Sequence, residues 1–126
     1  MSDRISIGEM ADAVMKELDD YKNLAKDRVK KAVKDAGKTV RSEISANAPV
    51  KTGRYAKSWT SRTTAESSTN IEVTVYSPSR YMLAHLLEHG HAKRGGGRTR
   101  AFPHIAPAEQ MGEEQLMKDI ENALKG

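Results

Sequence analysis

The stretch "LAKDRVKKAVKDAGKTVRSEISANAP" (residues 24–49) carries its apolar side chains at Ala25, Val29, Ala32, Ala36, Val40 and Ile44. The gaps are three or four residues, so these side chains line one face of a helix. The positions between them are mostly charged and nearly balanced in sign, as a solvated face requires. Asn47-Ala48-Pro49 ends the segment, because the residue before a proline avoids helical backbone angles. Upstream the same period continues through Ile7, Ala11, Val14, Leu18 and Tyr21. Ser6 and Glu9 there form a capping box, with Ile5 and Met10 placed as a hydrophobic staple. The pattern predicts one long, bent N-terminal helix over 7–46, the alternative being two packed helices broken at Gly37 or around Asp19-Asp20.

Such a helix would extend ~60 Å at 1.5 Å per residue. A compact domain of this length has a radius of gyration of ~14 Å. The apolar stripe is therefore expected to overhang its own core and to be covered by another subunit. Val14, Leu18, Tyr21, Ala25 and Val29 are the candidate interface residues.

Downstream the period changes. Val50-Lys51-Thr52-Gly53-Arg54 reads as a turn-rich loop. Lys57–Thr64 is rich in Thr and Ser around Trp59. Ile71–Tyr76 alternates Ile71, Val73 and Val75 with Glu72 and Thr74, and the two segments make an antiparallel hairpin across a polar turn. A short helix over Arg80–His89 ends at Gly90. A basic Gly-rich loop, Lys93–Arg100, follows, and Ala101-Phe102-Pro103 reads as a brief extended segment. Pro107 then opens a last helix with an apolar stripe at Leu116, Ile120 and Leu124. The expected class is α+β in a single domain over 1–126: long helix 7–46, β/loop core 50–106, C-terminal helix 107–125.

Composition bounds the chemistry. The 126 residues are 37% hydrophobic and hold one Trp, one Phe and four Tyr, so the core is modest for the length. There is no cysteine, which excludes disulfide and thiolate chemistry. No apolar run approaches the ~18 residues of a membrane span, and acids throughout 1–21 argue against a signal peptide. The net charge of +4 is unevenly distributed. Residues 50–104 hold nine basic and three acidic side chains, whereas 105–126 hold two and five. A basic centre with an acidic tail suits contact with a polyanion, or between copies of the chain.

Two motifs invite chemical readings. His85-Leu86-Leu87-Glu88-His89 spells H-x-x-E-H, which in zinc hydrolases places two imidazoles on one helix face beside a general base. Here the helix is short, Gly90 follows at once, and no third ligand has matching context. The residues read better as a structural corner, with no metal and no cofactor expected. In "KRGGGRTR" (93–100) the P-loop order is absent. Lys93, Arg94, Arg98 and Arg100 are candidates for contact with double-stranded DNA phosphates or with a neighbouring subunit. No nucleophile arrangement is legible, so no catalytic residue is expected.

The order of three phrases adds a resemblance. Ala48-Pro49…Thr52-Gly53-Arg54-Tyr55, Leu83-Ala84-His85-Leu86-Leu87-Glu88-His89-Gly90 and Ala101-Phe102-Pro103-His104-Ile105-Ala106-Pro107-Ala108 are similar to the A-P-x-x-T-G-x-L, Y-A-x-x-x-E-x-G and R-P-F-L-x-P-A phrases of the tail-completion or head–tail joining proteins of long-tailed bacteriophages, the minor tail components of the neck. The chain departs from those phrases at Tyr55, where an aliphatic residue is usual, at Tyr81, two residues ahead of the usual tyrosine, and in A-F-P-H. The resemblance implies a non-enzymatic structural virion protein that assembles as a homo-oligomeric ring. It further implies contact with neighbouring neck and tail proteins, transient contact with passing double-stranded DNA, assembly in the host cytoplasm and no membrane association.

Overall fold

A computed structural model describes residues 4–17, 23–49 and 53–125. The elements, in chain order, are β1 (Ile5–Ile7), α1 (Glu9–Glu17), α2 (Asn23–Ala46), α3 (Arg54–Lys57), β2 (Thr60–Glu66), β3 (Ile71–Tyr76), α4 (Tyr81–His89) and α5 (Ala106–Lys125). The fold is α+β. Three antiparallel strands lie in the order β1-β3-β2, with Ile5 opposite Val75 and Ile7 opposite Val73 on one side of β3. On the other side Thr60 faces Tyr76 and Glu66 faces Ile71, with an irregularity between Thr63 and Ala65. The predicted hairpin is present. Its first strand begins at Thr60 rather than Lys57 because residues 54–57 make a helical turn that buries Tyr55.

α2 lies between the sheet and α5, and its most extensive packing is on α5. Two glycines explain how close the layers come. A Cβ on Gly37 would sit 2.6 Å from Val73 Cγ1 on the sheet side, and one on Gly112 of α5 would strike Val40 Cγ2. Gly37 is thus a point of close approach, and α2 runs through it without breaking. Thr39 Oγ1 donates to Gln115 Oε1 at 2.5 Å beside this crossing.

The predicted helix 7–46 needs correction at its start. Ile5-Ser6-Ile7 alternates in burial and pairs with β3 as a strand, because two β-branched residues flanking Ser6 suit a half-buried sheet edge. Ile7 faces Val73 in the sheet, and Val73 presses on Gly37. Thirty residues of straight helix would hold Ile7 and Gly37 about 45 Å apart, so α1 and α2 are two packed helices and not one rod. Residues 18–22, including Asp19-Asp20, lie outside the described residues. Asp12 ties α1 to the sheet by accepting from Ile71 N and Asn70 Nδ2, both at 2.8 Å.

The expected overhang does not arise in α2 either. Its 24 residues span about 36 Å. Val29, Ala32, Val33, Ala36, Val40 and Ile44 are all buried between the sheet and α5, so the chain itself covers the stripe. Among the proposed interface residues, Val29 is fully buried in the core and Val14 packs partly buried against it. Ala25 is half-buried, and Leu18 and Tyr21 lie outside the described residues.

Two clusters make the core. One is aliphatic, joining Ala11 and Met15 of α1 to Val29, Val33 and Ala36 of α2, Ile71 and Val73 of β3, and Leu116 and Ile120 of α5. The other gathers Ile5, Val40, Ile44, Val75, Ala84 and Ile105 around Tyr55 and Trp59, whose rings meet edge to face at 6.2 Å. Leu124, expected on the buried stripe of the last helix, is 51% exposed, and Ala123 is buried in its place.

Candidate functional site

The H-x-x-E-H segment occupies α4, and its three polar residues part company. His85 and His89 are one helical turn apart, their rings 5.0 Å between centroids and tilted. Glu88 points the other way, into the protein, and is buried. Its carboxylate accepts three backbone N–H groups, from His104 at 2.7 Å, Ile105 at 2.9 Å and Ala106 at 3.1 Å. Ala106 is the first residue of α5, so Glu88 supplies from a distant helix the acceptor that a capping side chain normally gives. It sits where orphan N–H groups and the helix dipole favour a negative charge. Burial disfavours the charged form of Glu88, but the three N–H donors and the nearby His104 outweigh it. Its pKa is lowered from the usual carboxylate value.

His104 completes a buried polar corner. Its Nδ1 lies 2.7 Å from Phe102 O and 3.1 Å from Glu88 Oε1. Both are acceptors, so Nδ1 carries the proton. In neutral His104 the other nitrogen, Nε2, then accepts from the Tyr55 hydroxyl at 2.6 Å. Tyr55 and His104 are 1% and 2% exposed, which leaves the triplet closed to solvent. Sequence reasoning named Glu88 as part of a corner but missed Tyr55 and His104 as its partners. A signal was present: both are positions where the chain departs from the phrases it resembles, and the two departures meet in space.

This geometry bears on the zinc reading. A general base must reach a metal-bound water beside the imidazoles, but the Glu88 carboxylate is committed to the N-terminus of α5. Among the described residues no three His, Cys, Asp or Glu side chains group to hold a metal. His89 Nε2 is buried without a protein hydrogen-bond partner.

Gly90 ends α4 at φ 71°, a left-handed angle, and a Cβ there would lie 2.6 Å from Thr99 O, so glycine alone fits the turn. The basic loop that follows is a folded finger rather than a slack linker. Ala92 bridges Arg98. Lys93 N donates to Gly97 O and Thr99 N to His91 O. Lys93, Arg94, Arg98 and Arg100 are all exposed. Two of them are held, Arg98 Nη2 by Gly90 O at 3.3 Å and Arg100 over the Phe102 ring at 5.2 Å. No carboxylate pairs with the four among the described residues. Phe102 is itself 41% exposed, and Tyr81 and Met82 on α4 are 59% and 60% exposed. Residues 101–103 form no strand.

No helix among the described residues is long and apolar enough to cross a membrane. No curated protein and no solved structure matches the chain. A family model described as "Bacteriophage HK97-gp10, putative tail-component" matches residues 12–90, from α1 through the glycine that ends α4. The backbone-capping corner thus sits on a chain matched over more than half its length, and the chain belongs to the HK97-gp10-like family of phage tail components.

Proposed function

We propose that the protein is a structural subunit of the virion, assembling with copies of itself into a ring at the neck for tail completion or head–tail joining. The family match over residues 12–90 carries this reading. The order of the three phrases around Pro49, Glu88 and Pro107 supports it. So do the uneven charge along the chain, basic over 50–104 and acidic over 105–126, and several exposed apolar side chains. It assigns no catalytic residue and no cofactor, and it places the protein in the host cytoplasm during assembly and in the virion afterwards.

The test is electron microscopy of particles from a phage whose copy of this gene is interrupted and then restored in trans. Filled heads and unjoined tails should accumulate without the protein, and complete virions should return with it. Normal yields of joined virions in its absence would overturn the reading.

A second reading rests on one observation, the four exposed cations on a single loop finger. In that reading Lys93, Arg94, Arg98 and Arg100 touch passing double-stranded DNA. It predicts duplex affinity that falls steeply with salt, whereas weak binding independent of salt would dismiss it.

A further inference from the structure

A groove of about 320 Å³ runs between β1 and the first turns of α5. Its floor is apolar, made by Ile7, Val40 and Leu116, and Met10 and Met117 stand 43% and 56% exposed at its rim. Three consecutive β1 residues line it. Successive strand residues point to opposite faces, so the groove looks onto the free edge of β1, the outer strand of the sheet. An unpaired edge beside an apolar floor is a template for another chain.

The charge at this groove selects the occupant. Glu9, Glu109 and Glu113 line it, and among the described residues no basic side chain does. Glu109 has its pKa raised by burial and by the charge of Glu113, one turn along α5, so a neighbouring cation would relieve both acids. The chain carries a matching cationic surface elsewhere, the loop finger at 93–100. Lys93 and Arg94 are exposed at its start, and Phe102 offers an apolar ring just beyond it.

We propose that the β1–α5 groove of one copy receives the basic loop finger of the next copy. The proposal rests on the ring reading above and supplies its contact. The two surfaces share no residue, so the contact is heterologous and propagates from copy to copy, as a cyclic assembly requires. Acidic rim and basic finger set the register, while Phe102 and the methionines exclude water. A loop engaged in this way is withdrawn from DNA, which separates the contact from the second reading.

The experiment is a charge exchange on the whole protein, followed by sedimentation velocity and electron microscopy of the purified protein and of tails made with it. One variant carries Glu109→Lys and Glu113→Lys, a second carries Lys93→Glu and Arg94→Glu, and a third carries all four. All four positions lie on the surface or its margin, and far-UV circular dichroism with thermal melting verifies that each variant folds. Each one-sided variant should associate at least about tenfold more weakly than the unaltered chain. The fourfold variant should recover to within about threefold. Rings that persist in both one-sided variants would overturn the groove contact and leave the ring reading standing. Loss in the one-sided variants without recovery in the fourfold one would also overturn it, since the groove would then hold some other tail protein. No self-association of the unaltered chain, alone or in tails, would overturn both readings together.

Discussion

The two halves of the core are closed by different physics. At one end, α1, α2, β3 and α5 meet through aliphatic side chains and small residues, with Gly37 letting α2 approach Val73 of the sheet. At the other, α4 is joined to α5 by a closed polar corner in which Glu88, His104 and Tyr55 satisfy one another and the N-terminus of a helix. Aliphatic packing is non-directional and tolerates volume-conserving exchange. A buried polar corner is worth little in net terms while complete, yet is costly when one member goes missing. The contrast teaches where this fold should be brittle. The aliphatic end should give way in proportion to volume, and the corner should fail by loss of a single atom's role.

The sharpest way to break the contrast is Glu88→Ala. Three donors at the head of α5 lose their acceptor, and the variant should lose about 3–5 kcal/mol of unfolding free energy, measured by urea denaturation. Glu88→Gln, which keeps one carbonyl oxygen, should lose clearly less. Next in size is Gly112→Val, where α5 crosses α2. Its side chain must displace Val40, and overpacking of this kind costs about 1–3 kcal/mol. Adding Val40→Ala should restore part of the loss, since the cause is volume. A smaller effect separates pairing from packing at the corner. Tyr55→Leu and His104→Leu should each cost about 1–2 kcal/mol, and together about 1 kcal/mol less than their sum. Strict additivity in that cycle would mean that the 2.6 Å contact does not couple them. Smallest of all, Lys93→Ala with Arg94→Ala should leave the unfolding free energy of the monomer within about 0.5 kcal/mol of the unaltered chain, because the finger is folded by its own backbone.

The aliphatic end was legible in the sequence because its information is local. The three- and four-residue spacing from Val29 to Ile44, the alternation of Ile71, Val73 and Val75, and the Leu116 and Ile120 pair each declare a period within a dozen residues. Ile5-Ser6-Ile7 was misread because three residues satisfy a helical and a strand period equally. Its membership in the sheet is decided by Val73 and Val75, some seventy residues away. The same distance hid the covering of α2: an amphipathic stripe does not say whether α5 or another copy will lie on it. The corner was half visible. Glu88 before a helix-ending glycine suggested a joint, but its partners Tyr55 and His104 are separated by 49 residues, and only the fold brings a phenol to an imidazole. The H-x-x-E-H spelling misleads for a related reason. Spacing fixes that His85 and His89 share a helix face, while the direction of Glu88 follows from where α5 begins.

Glu88 anchors the N-terminus of α5, and pH-dependent hydrogen exchange at the amides of His104, Ile105 and Ala106 tests that role most directly. A carboxyl whose folded pKa is lowered stabilises the protein above its unfolded value, near 4.5, and that contribution is lost as pH falls through the folded value. The three amides should therefore be strongly protected at neutral pH, stay protected through the ordinary carboxylate range, and lose protection together only below it. Amides at 104–106 that exchange at neutral pH as fast as those of the exposed loop at 94–97 would contradict the anchoring role of Glu88.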